Sequence, residues 1–310
     1  MTGSRTCRTP RLEPVAAAMV ACVFLLSAAG LAVAQSRGLD ALGAGRGALA
    51  EAGTPVDVEL VLAVDISWSM SDAEQIIQRE GYAAAFRSRE VQDAIFDGVN
   101  GAIAVTYVEW AGQATQATVI PWTLIDSKES ADGFAYRLAA GPPTRARRTS
   151  ISGGIAYSAG LFDANGYDGL KRVIDISGDG PNNQGQTVDE ARDAAVARGI
   201  TINGLPLMTG DDGASWAAID DLDRYYEACV IGGPGAFVVP VHDWPQFPAA
   251  VRRKLVLELA LDWPIDTQDP RARSNAAPIV ATKASGSVDC RIGETLWQQR
   301  QRFWMDEDVR

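Results

Sequence analysis

Asp65, Ser67 and Ser69 stand in the run Asp65-Ile66-Ser67-Trp68-Ser69, directly behind the apolar stretch Val56 to Val64. One carboxylate and two hydroxyls on so short a segment are hard oxygen donors. A hard divalent cation, Mg²⁺ or Mn²⁺, suits such a set. Two more oxygens follow at comparable points. Thr149 precedes Ser150-Ile151-Ser152-Gly153-Gly154 at the entrance to a predicted helix, and Asp179 follows Ile176-Ser177-Gly178 just past a predicted strand. Two carboxylates would neutralise the ion. Neutral hydroxyls would leave it electrophilic enough to accept a further carboxylate from a partner. Each residue also has a plainer reading. The first three would cap the next helix, but Ser71 already does that in Ser71-Asp72-Ala73-Glu74. Asp179 would be a turn residue before Gly180-Pro181-Asn182-Asn183. Thr149 competes with Ser150, and either would cap a helix.

The elements around these residues place them at one sheet edge. Val56–Val64 alternates and then runs continuously apolar, as a strand entering a buried sheet does. Ser71 opens a helix with Ile76, Ile77, Tyr82 and Phe86 toward one side. Ile103–Trp110 and Thr115–Trp122 form a hairpin across Ala111-Gly112-Gln113-Ala114. Helices are predicted for Ser127–Ala140 and Ser152–Phe162, with a turn at Asn165-Gly166. Val173–Ser177 is a central strand, and Thr187–Arg198 a helix stopped by Gly199. Thr201–Leu207 is a strand, Trp216–Tyr226 a helix, Phe237–Val241 a last edge strand, and Asp243 caps a long helix to about Leu261. Strands alternating with helices predict an α/β fold: a doubly wound, mostly parallel six-stranded sheet with helices on both faces. In such sheets ligands bind outside the carboxyl ends of the strands.

With these residues in order, the chain from Val56 to Leu261 resembles a von Willebrand factor A-type domain with a metal-ion-dependent adhesion site. That site has the form Asp-x-Ser-x-Ser, then Thr, then Asp, on three loops. Asp65, Ser67, Ser69, Thr149 and Asp179 fill it. The resemblance implies that Ser67, Ser69 and Thr149 touch the metal, that Asp65 and Asp179 act largely through water, and that no bond is made or broken. It implies a protein partner presenting Asp or Glu. Trp68 stands where the family often has Gly, and either contacts the partner or narrows access to the ion. The leader, Ile231–Phe237 and the long final helix also resemble an uncharacterised bacterial family of exported proteins with this domain.

Arg145, Arg147 and Arg148 form a basic patch in an acidic chain, net charge −11. They would steer an acidic partner to the metal, or simply line a solvated loop. The acidic balance argues against binding nucleic acid or anionic lipid through bulk charge. A single histidine, His242, excludes a multi-His zinc site and disfavours triad chemistry. The competing functional class is a metal-assisted hydrolase using the same oxygens, which lacks an evident general base.

Arg5, Arg8 and Arg11, the charge-free run Val15–Ala34 and Ala32-Val33-Ala34 read as a secretory leader over residues 1–34, cleaved after Ala34, with a secreted or periplasmic product. Left uncleaved, it would contact a membrane. Residues 35–54 read as a flexible linker, 55–263 as the domain and 264–310 as a tail. Cys229 and Cys290 remain after cleavage. They either bridge the tail to the domain or stand as two thiols.

Overall fold

In the computed structural model, residues 53–209, 219–259 and 288–307 are described. The leader and almost all of the linker lie outside them, as do Trp216 and residues 264–287 of the tail.

Strand β1 (Thr54–Asp65) is central and buried along nearly its whole length. It pairs in parallel with β2 (Ile103–Trp110) and with β4 (Tyr167–Gly178). Strand β5 (Ile200–Pro206) adds to β4 in parallel, and β3 (Gln116–Ile125) adds to β2 antiparallel. The order is β3-β2-β1-β4-β5. Period-two alternation divides β1 between two cores. Val58, Leu60, Leu62 and Val64 face one, and Val61 and Ala63 the other. The first core is closed by α1 (Asp72–Arg87), α2 (Arg89–Phe96), α3 (Lys128–Ala140) and α7 (Phe247–Leu259). The second is closed by α4 (Ile151–Gly160), α5 (Val188–Val196) and the short α6 (Leu222–Tyr225), which continues as a π-helical turn, Tyr226–Val230. A last helix, α8 (Ile292–Glu307), follows the final cysteine.

Among the described residues the sheet has five strands, not six. Phe237–Val241 does run beside β5, with bonds from Gly204 N–H to Phe237 O (3.0 Å), Val239 N–H to Gly204 O (3.0 Å), Val241 N–H to Pro206 O (3.0 Å) and Met208 N–H to Val241 O (2.7 Å). The next rung needs a donor from residue 206, which is proline and has no N–H. Pairing is thereby reduced to separate bridges at Val238 and Val241. Three smaller differences also appear. Ile76 is exposed rather than core-facing. Strand β4 begins at Tyr167, directly after the Asn165-Gly166 turn. Within the predicted helix ending at Tyr226, the described residues form only α6 and then turn π-helical.

Candidate metal centre

β1 and β4 lie side by side in parallel, Val64 opposite Ser177, so the chain leaves both at the same edge. This brings Asp65 and Asp179 together. The Ser67 N–H donates to Asp65 Oδ1 (2.6 Å), the Ser67 and Ser69 hydroxyls share a bond (2.9 Å), and Ser69 Oγ donates to Asp179 Oδ1 (2.8 Å). Four of the five sequence-selected residues are thus linked in one chain of hydrogen bonds. Ser71 is indeed the cap of α1, in a reciprocal box with Glu74, so the two upstream serines are free of that role.

Thr149 arrives on a third loop, stitched to the other two. Ala146 N–H donates to Ile66 O (3.0 Å), pairing Ser67 with Ala146. Thr149 N–H donates to Asn183 Oδ1 (3.0 Å), and Asn183 N–H returns a bond to Thr149 O (2.8 Å). Ser150 caps α4 by accepting from Gly153 N–H (3.1 Å), which leaves Thr149, itself buried, as the hydroxyl at the junction. Arg148, just before it, holds a left-handed φ of 78°, uncommon for a side chain of that size.

Sequence reasoning passed over the stitching residues. Asn182 Oδ1 accepts from Ser152 N–H (3.0 Å), and its amide donates to Gln186 O (3.1 Å). Ser150 Oγ donates to Gln184 O (2.8 Å). Buried Arg79 pairs with Glu109, whose other oxygen accepts from Thr144 Oγ1 (2.6 Å), fixing the approach to Thr149. The available signal was Asn182-Asn183 after a proline, since Asn side chains readily bond backbone groups in turns.

Residues 55–263 match the family described as Protein of unknown function (DUF1194). The chain belongs to the DUF1194 family. None of the curated proteins matches it. Among solved structures it is similar to proximal thread matrix protein 1 from the mussel byssus, described with a zinc-occupied MIDAS motif (16% identity, 67% of this chain and 48% of that one, TM-score 0.46). It is also similar to a von Willebrand factor type A protein from Catenulispora acidiphila (15%, 65% and 42%, 0.47). A third is the conserved hypothetical protein BatB from Bacteroides thetaiotaomicron (18%, 65% and 98%, 0.42). The chain spans about half the length of the mussel protein. The described residues of this DUF1194 domain form a central sheet between two helical layers.

The electrostatics of the DUF1194 site suit a bound cation. Asp65 is fully buried and its Oδ2 has no hydrogen-bond partner. Burial, then the charge of Asp179, raises its pKa well above the usual carboxylate range. Burial likewise pushes Asp179 up to about 6. Two carboxylates with hydroxyls between them fit a hard divalent cation, which Asp65, Ser67, Ser69, Thr149 and Asp179 would hold. Protons and cation would compete for the same oxygens. Ion affinity is therefore expected to fall as pH drops through about 6, by about tenfold per unit at the steepest. Calorimetric titrations at several pH values check this, and an affinity flat through that range would refute it.

The rim residues separate into two pairs. Trp68 is 55% exposed with the Arg147 guanidinium over its ring at 4.6 Å, and Arg145 donates to the Trp68 carbonyl. Arg148 turns the other way and lies over Trp297 of α8 at 3.4 Å. Cys229 and Cys290 are joined as a disulfide.

Proposed function

We propose that this domain is a divalent-cation-dependent binding module that docks a protein partner through the partner's Asp or Glu. The observation that carries it is the buried Asp65 carboxylate with an unpartnered oxygen, one hydroxyl chain away from a second carboxylate whose own pKa is raised. Mg²⁺ or Mn²⁺ suits the all-oxygen set better than zinc, which favours nitrogen and sulfur. Trp68 and Arg147 would flank the incoming carboxylate, the ring supplying apolar contact and the guanidinium a second charge. No bond is made or broken in this reading.

An exported setting is part of the proposal. The leader-like residues 1–34 support it, and so does a disulfide, which persists in oxidising compartments. Among the described residues no helix is long and apolar enough to cross a membrane.

The test is binding of the ion itself, followed by capture of a partner. Mg²⁺ or Mn²⁺ at a hundred times its dissociation constant should stabilise the fold by about 2.7 kcal/mol. That corresponds to a melting rise of roughly 5–10 °C for a domain of this size. Pull-downs with and without chelator should then differ in one recovered protein. No heat of binding and no melting shift with Mg²⁺, Mn²⁺ or Zn²⁺ would sink the reading.

A further inference from the structure

Helix α8 reaches the ion-site loops from outside the sheet. Gly293 is buried against the Asn182 backbone so closely that a Cβ there would lie 2.1 Å from the Asn182 carbonyl oxygen. Asn182 Nδ2 donates to Glu294 Oε1 (2.6 Å). Trp297 covers Arg148, the neighbour of Thr149. Asn182 lies three residues past Asp179, and its neighbour Asn183 ties Thr149 in place. The helix therefore sits on the junction that joins two of the three ligand loops.

The bridge is what keeps it there. Cys229 is fully buried in the π-helical turn, and Cys290 lies two residues before α8 begins. From the same stretch, the Tyr225 hydroxyl accepts from Asn182 N–H (3.2 Å) and faces the Cys290 carbonyl (3.5 Å). Besides the bridge, the described contacts of this segment include the Asn182–Glu294 hydrogen bond, Trp297 against Arg148, and partly buried Val288 and Ile292. Contacts of that size hold a helix only when its effective concentration is high, which a covalent tie ensures.

We infer that α8 is a strap over the ion site whose closure depends on the Cys229–Cys290 disulfide, so that reduction loosens the loops of Thr149 and Asp179 and weakens ion binding. The ion part rests on the proposed function; the loop part does not. A dithiol reductant gives up two electrons and two protons and closes its own disulfide, while Cys229 and Cys290 become thiols.

The experiment is amide hydrogen exchange on the full chain, oxidised and after dithiol reduction, paired with Mn²⁺ titration of both forms. Residues 148–153 and 181–185 should exchange about tenfold faster on reduction, with β1 and β4 unchanged. Mn²⁺ affinity should fall by about tenfold, the scale seen when groups that orient metal ligands are lost. Gly293→Ala, which keeps the bridge but pushes α8 off Asn182, should reproduce both effects. The inference is overturned if reduction leaves the loops unchanged. It is also overturned if exchange rises equally through the strands, which would make the bridge a general staple, or if Gly293→Ala has no effect. Should the oxidised protein bind no Mn²⁺ while its loops still respond to reduction, the strap stands and the proposed function fails.

Discussion

Asp65→Asn should weaken ion binding severely and yet leave the ion-free protein at least as stable as the wild type at neutral pH. The amide keeps an oxygen for the Ser67 N–H and nearly the same volume, so the local turn survives. What it removes is a charge that burial disfavours. A carboxylate whose folded pKa is raised contributes stability that is fully present below its unfolded pKa and is lost as pH rises through the folded value. At neutral pH the ion-free wild type therefore carries a penalty that the variant lacks. With cation the order reverses. A divalent ion a few ångströms from a carboxylate gains several kcal/mol even at an effective dielectric constant of about 20, so affinity should fall by on the order of a hundredfold or more. Melting curves of both proteins, with chelator and with millimolar Mg²⁺, should cross over. If Asp65→Asn melts well below the wild type in chelator, Asp65 serves the fold and not an ion. Asp179→Asn should show the same reversal more weakly, since Asp179 is only partly buried and its shift is smaller.

The grouping of Asp65, Ser67, Ser69 and Asp179 was legible because its chemistry is local. Asp65, Ser67 and Ser69 share one turn, and the apolar run before them states which end of which strand they occupy. Asp179 could be read from the strand it follows, and the parallel order of β1 and β4 then brings it to Asp65, whereas Thr149 is placed by the bonds of Ala146 and Asn183. The sixth strand was misjudged because what thins its pairing is elsewhere: Pro206, on the neighbouring strand, withholds the donor that Val239 needs. Asn182 and Asn183 look like ordinary turn residues until the loop they hold is known. Trp68, Arg147 and Arg148 could be seen as a rim, but not that Arg148 leaves it for Trp297, because α8 lies far along the chain. Lys254 was the least legible. A lysine beside Arg252 and Arg253 in an amphipathic helix reads as solvated charge, since lysine is almost never fully buried unless paired.

Lys254→Met should be strongly destabilising, and more so at alkaline pH. Lys254 is completely buried in α7, with Nζ 2.6 Å from Asp175 Oδ1 on β4 and in contact with Glu258 Oε1 one helical turn on. Tyr82 and Asn203 complete the cluster, the hydroxyl 3.4 Å from Asp175 Oδ2 and the amide donating to Glu258 Oε1 at 2.9 Å. One ammonium thus serves two buried carboxylates. Burial, outweighing the attraction of Lys254, raises the pKa of Glu258 to about 7, and that of Asp175 is raised as well. Methionine matches the lysine stem in volume, so packing is nearly kept, but two carboxylates lose the one cation that pairs with them among the described residues. Breaking a buried ion pair from one side typically costs about 3–5 kcal/mol, or a melting drop on the order of 10 °C. Protonation relieves it. As pH falls from 8 toward 5 both acids take up protons, and the gap between variant and wild type should narrow. The wild type itself should lose stability as pH rises from about 4.5 through about 7, the window set by Glu258, and Glu258→Gln should flatten that slope. A gap between Lys254→Met and wild type that is equal at both ends of the range would mean that the lysine acts by filling space. The charge account of how α7 is locked to the sheet behind the site would then be wrong.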